Sequence, residues 1–262
     1  MLELNTIIDD LINIDKVMID NIKERTGNIT IIMSTDDEAS QRYVRNKSKK
    51  CLENNINVKI INVFNQDSLV EEILKLNEDP KVDNIIVQYP IPEGKLTPQE
   101  VFNLIKPEKD IDKLNNYWFY SKDEDDLPIT SYGILRIIKK IPERMDKKIL
   151  FIGNGLTTNR KLFTYMFDKG YNCRITNSKT PEKDLKELIE WADIVIPATG
   201  KAEWLEIENK IVICPTIVKT DSGITSELKK EFRDKNITHN ILGKIGILTT
   251  NRVVLSAKRI IK

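Results

Sequence analysis

The feature that most constrains this chain is an alternation that persists almost from end to end, in which short apolar runs are separated by longer stretches with apolar residues at helical spacing. The runs cover residues 29–33, 58–63, 84–87, 148–152, 172–176, 194–197 and 211–214, each too short for a helix. Between them the spacing predicts helices over 38–54, 68–77, 98–106, 131–141, 159–169 and 182–191. Apolar strands alternating with helices describe a parallel sheet buried on both faces, so the fold class is α/β. A polar stretch, 121–126 (SKDEDD), followed by Pro128, divides the series in two. Interdomain connections carry that composition. The expected organisation is therefore two three-layer α/β domains, residues 1–126 and 127–249, with a cleft between them. A last helix, expected over 250–262, has Val253, Val254, Leu255, Ala257, Ile260 and Ile261 at helical spacing and is expected to pack back on the first domain.

Composition removes several function classes. Lys and Arg number 41 against 40 Asp and Glu, a net charge of +1, and the signs are interspersed along the chain. A nucleic-acid partner needs a net basic face to release counterions, so none is expected. The three cysteines, Cys51, Cys173 and Cys214, are far apart and lack metal-ligand spacing, which predicts neither disulfides nor a metal site and suits the cytoplasm. The opening MLELNTIIDDLINIDKVMID has no basic region before its apolar residues, so it reads as an amphipathic helix and not as a secretion signal. No apolar run approaches the roughly 20 residues of a membrane span, and no membrane partner is expected.

In the second half, residues 148–152 lead into Gly153, Asn154 and Gly155 shortly before a helical stretch. Glycines directly after a strand let the backbone turn tightly and approach a pyrophosphate, whose charge the amides of a helix N-terminus favour. The third glycine of a full G-x-G-x-x-G is absent, and taken alone the loop is equally an ordinary strand-to-helix turn. The next strand ends near Ser178 and Lys179, where a dinucleotide fold reads the ribose. No Asp or Glu stands there, and a hydroxyl with a lysine suits a 2′-phosphate, which favours NADP while leaving NAD possible. Ala198, Thr199 and Gly200 close a third strand at the edge where ligands cross such a sheet. The second domain is thus expected to be a Rossmann-like parallel sheet, with cofactor contacts at Gly153, Asn154, Gly155, Ser178, Lys179, Thr199 and Ile217.

In the first half, Tyr43 and Lys47 are four residues apart on a predicted helix and share a face, where a ring can cover a planar substrate while an amine reaches its reacting carbon. Lys47 also lies in a lysine-rich stretch, and most such lysines only solvate a helix surface. Gln88 ends an apolar strand just before prolines, at the edge where sites form, and can orient water or tune a lysine. Asp110 and Asp112, in KDIDK, can grip the guanidine-like edge of a pterin or remain solvated.

These segments resemble, in order, the bifunctional methylenetetrahydrofolate dehydrogenase/cyclohydrolase (FolD) family. DDEASQRYVRNKSKK (36–50) is similar to its D-x-A-S-x-x-Y-V-x-x-K-x-K motif, IIVQYPIP (85–92) to V-Q-L-P-L-P, PEKDIDK (107–113) to P-x-K-D-V-D-G, and LPIT with Gly133 to P-x-T-x-x-G. The resemblance implies Lys47 as the catalytic lysine, Gln88 as its partner, Asp112 as the anchor of the pterin and Tyr43 as the ring stacked on the folate. It implies NADP-dependent oxidation of 5,10-methylenetetrahydrofolate, then hydrolysis of the methenyl product to 10-formyltetrahydrofolate, in a homodimer.

The second half departs from the family. G-R-S-x-x-V-G-x-P is here Gly153 to Lys161 (GNGLTTNRK), and Arg160 or Lys179 is left to replace the missing arginine. P-G-G-V-G-P-M-T is here LGKIGILT (242–249), and the glycine after K-D-V-D is Lys113. These departures keep open a cyclohydrolase with weakened dehydrogenase activity and a non-catalytic folate- or nucleotide-binding protein. An unrelated doubly wound enzyme is a third alternative. His239 and Trp204 read as structural or surface residues.

Overall fold

The structure is a computed structural model that describes residues 4–36, 38–216, 218–220, 223–233, 235–236 and 242–258. The chain divides into two compact units, one of Ile14–Ile129 with Thr249–Lys262 and the other of Met1–Asn13 with Thr130–Leu248. The chain therefore passes between units within its first helix, after Ile129, and within its last helix.

The first sheet is built from α1 (Leu4–Asn21), β1 (Gly27–Met33), α2 (Glu38–Leu52), β2 (Ile56–Asn62), α3 (Gln66–Glu78), β3 (Ile85–Gln88) and α4 (Pro98–Asn103). Its strands are parallel in the order β2-β1-β3, with Ile31 opposite Ile60 on one side and Ile86 on the other. Successive strands are added on opposite sides of β1, which leaves a switch point beyond the carboxyl ends of β1 and β3, where open α/β sheets bind ligands. Ile29, Ile31 and Ile86 pack in one core with Val44 and Cys51 of α2 and with Val253 and Val254 near the C-terminus.

α4 stops at Asn103 and does not reach residue 106, because Lys106 precedes Pro107, whose ring disfavours helical backbone in the residue before it. Three 3₁₀ turns follow, Pro107–Lys109, Asn116–Trp118 and Glu124–Asp126. The Lys109 ammonium reaches back to donate to the carbonyls of Leu76 (2.9 Å) and Asp79 (2.8 Å) at the end of α3. A helix C-terminus leaves such carbonyls unpaired and favours a cation. Lys109→Met is expected to lower stability by about 2 kcal/mol, since bonds to a charged donor carry about 1.5–3 kcal/mol each and water recovers part of the loss. Urea unfolding of the two proteins checks this, and an unchanged midpoint would remove the cap from the account.

The second sheet comprises α5 (Ile129–Lys139), β4 (Ile149–Ile152), α6 (Asn159–Asp168), β5 (Cys173–Ile175), α7 (Glu182–Trp191), β6 (Ile194–Pro197) and β7 (Ile211–Val212). The order is β5-β4-β6-β7, all parallel, with a switch point between β4 and β6. An antiparallel pair, β8 (Val218–Thr220) and β9 (Gly223–Thr225), the short α8 (Lys230–Arg233) and α9 (Leu242–Lys258) complete the chain. The final helix begins at Leu242 and not at Thr250, taking in Gly243 and Gly246. No helix among the described residues is long and apolar enough to cross a membrane. Cys51, Cys173 and Cys214 are buried free thiols.

Candidate active site

The candidate residues fall into two groups, one in each of the two units. In the first, α2 carries Tyr43 and Lys47 on one face, and the Lys47 ammonium sits 4.5 Å from the centroid of the Tyr43 ring. Lys47 is only 2% exposed, so this is not one of the solvating lysines that its sequence neighbourhood suggests. Burial pulls its pKa down, but the Asp112 carboxylate, with Tyr43 and Cys51 adding to it, outweighs burial and moves the pKa up. Burial pushes the Cys51 thiol up to about 11.

The Tyr43 hydroxyl donates to Thr249 Oγ1 at 3.2 Å, which fixes the ring from 206 residues away. Gln88 ends β3 half-exposed, and its amide donates to the Tyr89 carbonyl at 2.9 Å. The structure thus brings Tyr43, Lys47 and Asp112 together electrostatically, while Gln88 stands at the strand edge with its amide turned to its own neighbour.

The loop bearing Asp112 is held on both sides. Asp110 is buried and accepts the Asn115 amide at 2.8 Å. Lys113 takes a φ of 59°, the left-handed conformation that glycine adopts most easily, which accounts for the glycine in the family pattern. Its ammonium lies 3.3 Å from the Trp118 ring centroid and 3.9 Å from Asp126 Oδ1.

A cavity of about 120 Å³ is lined by Asn84, Glu108, Asp110, Lys113, Asp126 and Arg252, among others, and by none of Tyr43, Lys47, Gln88 or Asp112. Burial pushes the Asp110 carboxyl up to about 7, with Asp112 adding to the shift and the Asn115 amide and Lys113 opposing it. The folded chain therefore keeps a proton on Asp110 that the unfolded chain releases near pH 4, and stability falls as pH rises from about 4 to about 7. Asp110→Asn preserves the acceptor for Asn115 and is expected to flatten that slope, making the variant the more stable protein at pH 8. Unfolding free energies measured across this range check it, and parallel curves for the two proteins would refute it.

In the second unit, Gly153 ends β4 with a φ of 93°, and a Cβ there would lie 2.7 Å from the Ala198 carbonyl oxygen of β6's outgoing turn. Glycine is required twice over, by conformation and by space. At Gly155 the same carbonyl would be 3.8 Å away, an ordinary contact. Asn159, where the family pattern has glycine, is buried and donates to the carbonyls of Ile152 (3.2 Å), Gly153 (3.0 Å) and Ile196 (3.1 Å). A side chain therefore ties the ends of β4 and β6 together here. Arg160 donates to the Asn154 carbonyl at 3.4 Å, which places its guanidinium against the glycine loop. Ser178 and Lys179 are exposed in a turn after β5, with the Lys179 amide bonded to Asn177 Oδ1 at 2.8 Å. Ile217 and His239 lie outside the described residues.

Two features escaped sequence reasoning. Thr249, seen in the sequence as a surviving family threonine, anchors Tyr43, a contact no local pattern reveals. Glu227 is fully buried and accepts bonds from Thr199 and Gly200, and an acidic residue in TSELKK gives no signal of burial.

Comparison with known proteins covers both halves of the chain. Residues 5–112 match the model of the tetrahydrofolate dehydrogenase/cyclohydrolase catalytic domain, and residues 128–254 match that of its NAD(P)-binding domain. The bifunctional protein FolD of Wolbachia pipientis wMel is 35% identical over 211 residues, 76% of this chain and 68% of that protein. FolD of Anaplasma phagocytophilum is 30% identical over 94% of this chain and 85% of its own length. The crystal structure of the bifunctional methylenetetrahydrofolate dehydrogenase/cyclohydrolase FolD from Campylobacter jejuni superposes with a TM-score of 0.75 at 26% identity, covering 97% of this chain and 95% of that one. With both of its sheets matched in sequence and in structure, the chain belongs to the tetrahydrofolate dehydrogenase/cyclohydrolase family.

Proposed function

We propose that the chain oxidises 5,10-methylenetetrahydrofolate with NADP and hydrolyses the methenyl product to 10-formyltetrahydrofolate, with Lys47 as the catalytic lysine. The observation that carries the reading is the buried Lys47, whose ammonium lies 4.5 Å from the Tyr43 ring centroid and whose pKa the Asp112 carboxylate raises. Asp112 anchors the pterin by accepting from its guanidine-like edge, and Tyr43, fixed through Thr249, presents its ring to the folate. Gln88, at the strand edge, orients water beside the lysine.

Hydrolysis needs a base for the attacking water and an acid for the departing ring nitrogen. The methenyl substrate is itself a cation, and its arrival beside Lys47 favours the neutral amine, because a like charge disfavours the ammonium. The amine then takes a proton from the water as its oxygen adds to the methenyl carbon, and returns that proton to the ring nitrogen as the C–N bond breaks, while the remaining proton of the added hydroxyl leaves to solvent as the formyl carbonyl forms and the cation becomes a neutral product. Lys47 ends as it began.

NADP, when bound, would supply the acceptor for the hydride that leaves the methylene carbon. The second sheet fits such a cofactor: Gly153 lets the backbone close over the β4–β6 edge, and Asn154 and Gly155 complete the loop. Lys179 with Ser178, and Arg160 against the loop, are the groups available to a 2′-phosphate. Thr199 can offer acceptors only, since its amide and hydroxyl proton are already donated to Glu227, and its hydroxyl oxygen also accepts the Lys201 amide at 3.3 Å. A cyclohydrolase with weakened dehydrogenase activity is the second reading, favoured by Asn154 and Asn159 standing where the family pattern has arginine and glycine.

A homodimer in the cytoplasm completes the proposal. The family resemblance supports the dimer, and three free thiols suit a reducing compartment. Light scattering at twice the chain mass is the result expected. The cofactor assignment is tested by following oxidation of methylenetetrahydrofolate with each dinucleotide. NADP is expected to support it better than NAD, and failure with both would leave only the second reading.

A further inference from the structure

We propose that Glu227 is a positioning residue of the dinucleotide site, holding the Ala198–Gly200 turn in the shape that receives the cofactor; the inference rests on the NADP-dependent reading above. Glu227 follows β9 and is fully buried, yet among the described residues no lysine or arginine bonds to its carboxylate. It accepts instead from four neutral donors. Oε1 takes the backbone amides of Thr199 (2.7 Å) and Gly200 (3.0 Å), and Oε2 takes the Thr199 hydroxyl (2.6 Å) and the Trp204 indole (3.1 Å).

A buried carboxylate satisfied only by neutral dipoles is retained where its geometry is needed, because each donor is oriented by it and none could be left unpaired without loss. Three of its four donors come from the turn that leaves β6 at the switch point. That turn is the one whose Ala198 carbonyl meets Gly153 and whose Thr199 methyl lies within 3.3 Å of where a Gly153 Cβ would stand. Glu227 thus fixes one wall of the glycine loop through the turn. It also decides what the turn can offer a ligand. With the Thr199 and Gly200 amides and the Thr199 hydroxyl proton taken up by Glu227, none of these donors is left for a ligand phosphate.

Trp204 makes the geometry testable. In Glu227→Gln the side-chain oxygen can still accept the two backbone amides, but its NH2 group would then face the Trp204 N–H, donor against donor, and would turn the Thr199 hydroxyl from donor to acceptor. The hydroxyl proton would then point to the ligand side. The expected result is a rise of about tenfold in the KM and Kd for NADP, the equivalent of one misdirected hydrogen bond, with kcat little changed. Thr199→Val removes one donor and keeps the backbone bonds, and a smaller shift in the same direction is expected; it serves equally if Glu227→Gln does not fold. Lys109→Met, which weakens a helix cap in the other unit, is the control, since lost stability alone should not move the cofactor KM.

NADP affinity is read by titration of protein fluorescence and KM by initial rates. A weakened affinity in both variants, absent from the control, supports the assignment. Unchanged NADP affinity in a folded Glu227→Gln protein overturns it. A wild-type chain that binds neither dinucleotide removes the dinucleotide reading itself, and the assignment with it, so the two failures are distinguishable.

Discussion

Lys47→Met is expected to abolish hydrolysis of methenyltetrahydrofolate while leaving a folded protein. Methionine has a similar length and volume, and exchanging a buried cation for a well-packed apolar side chain is often neutral or stabilising by about 1–4 kcal/mol. Asp112, partly exposed, loses its countercharge but can turn to water. The variant therefore separates chemistry from folding, which an alanine would not do as cleanly because it leaves a cavity under Tyr43. General acid and base work by one side chain accounts for about 100- to 10,000-fold in rate, and a loss of that size is expected in kcat. Lys47→Arg is expected to fail as well, because a guanidinium does not give up its proton at neutral pH. Hydrolysis at the wild-type rate in a folded Lys47→Met protein would remove Lys47 from the mechanism.

Gly153→Ala is expected to remove NADP-dependent oxidation while sparing hydrolysis. The new Cβ would lie 2.7 Å from the Ala198 carbonyl oxygen, and alanine at a φ of 93° is strained wherever it is placed. The backbone strain costs about 1–3 kcal/mol, and the clash must push the β4 and β6 ends apart. A displacement of about 1 Å in a positioning element can cost about 100-fold in rate, and a loss of that order in oxidation is expected. Gly155→Ala is the matched control, since its Cβ would make only an ordinary contact at 3.8 Å. Equal oxidation rates in the two variants would show that the close approach at Gly153 does not shape the site.

Much of the architecture could be read from the sequence because it depends on local patterns. The apolar runs became strands because residues such as Ile31, Ile86, Leu150 and Val195 are buried from both faces of parallel sheets, where no polar alternation is needed. The pair β8 and β9 was not anticipated, because Lys219, Thr220 and Gly223 give no apolar run. The early start of α9 takes in Gly243 and Gly246, residues of low helix propensity that give no helical signal in the sequence. The candidate site divides in the same way. Tyr43 and Lys47 share a face by helical periodicity alone, so their contact was visible in advance. The approach of Asp112, the Thr249 anchor and the buried carboxylate of Glu227 depend on chain crossings of tens to hundreds of residues, and no local spacing encodes them. Lys113 lies between these cases. The departure from glycine was legible, but not that a lysine would take the left-handed conformation and be held there by Trp118 and Asp126.

The central claim is that the first sheet carries folate chemistry on a buried lysine, and the most direct test is the rate at which the unaltered chain hydrolyses 5,10-methenyltetrahydrofolate with no dinucleotide present, followed by loss of the substrate's absorbance. The account predicts a rate well above that in buffer alone, saturating with substrate. A folded chain that leaves the buffer rate unchanged at every substrate concentration would contradict it.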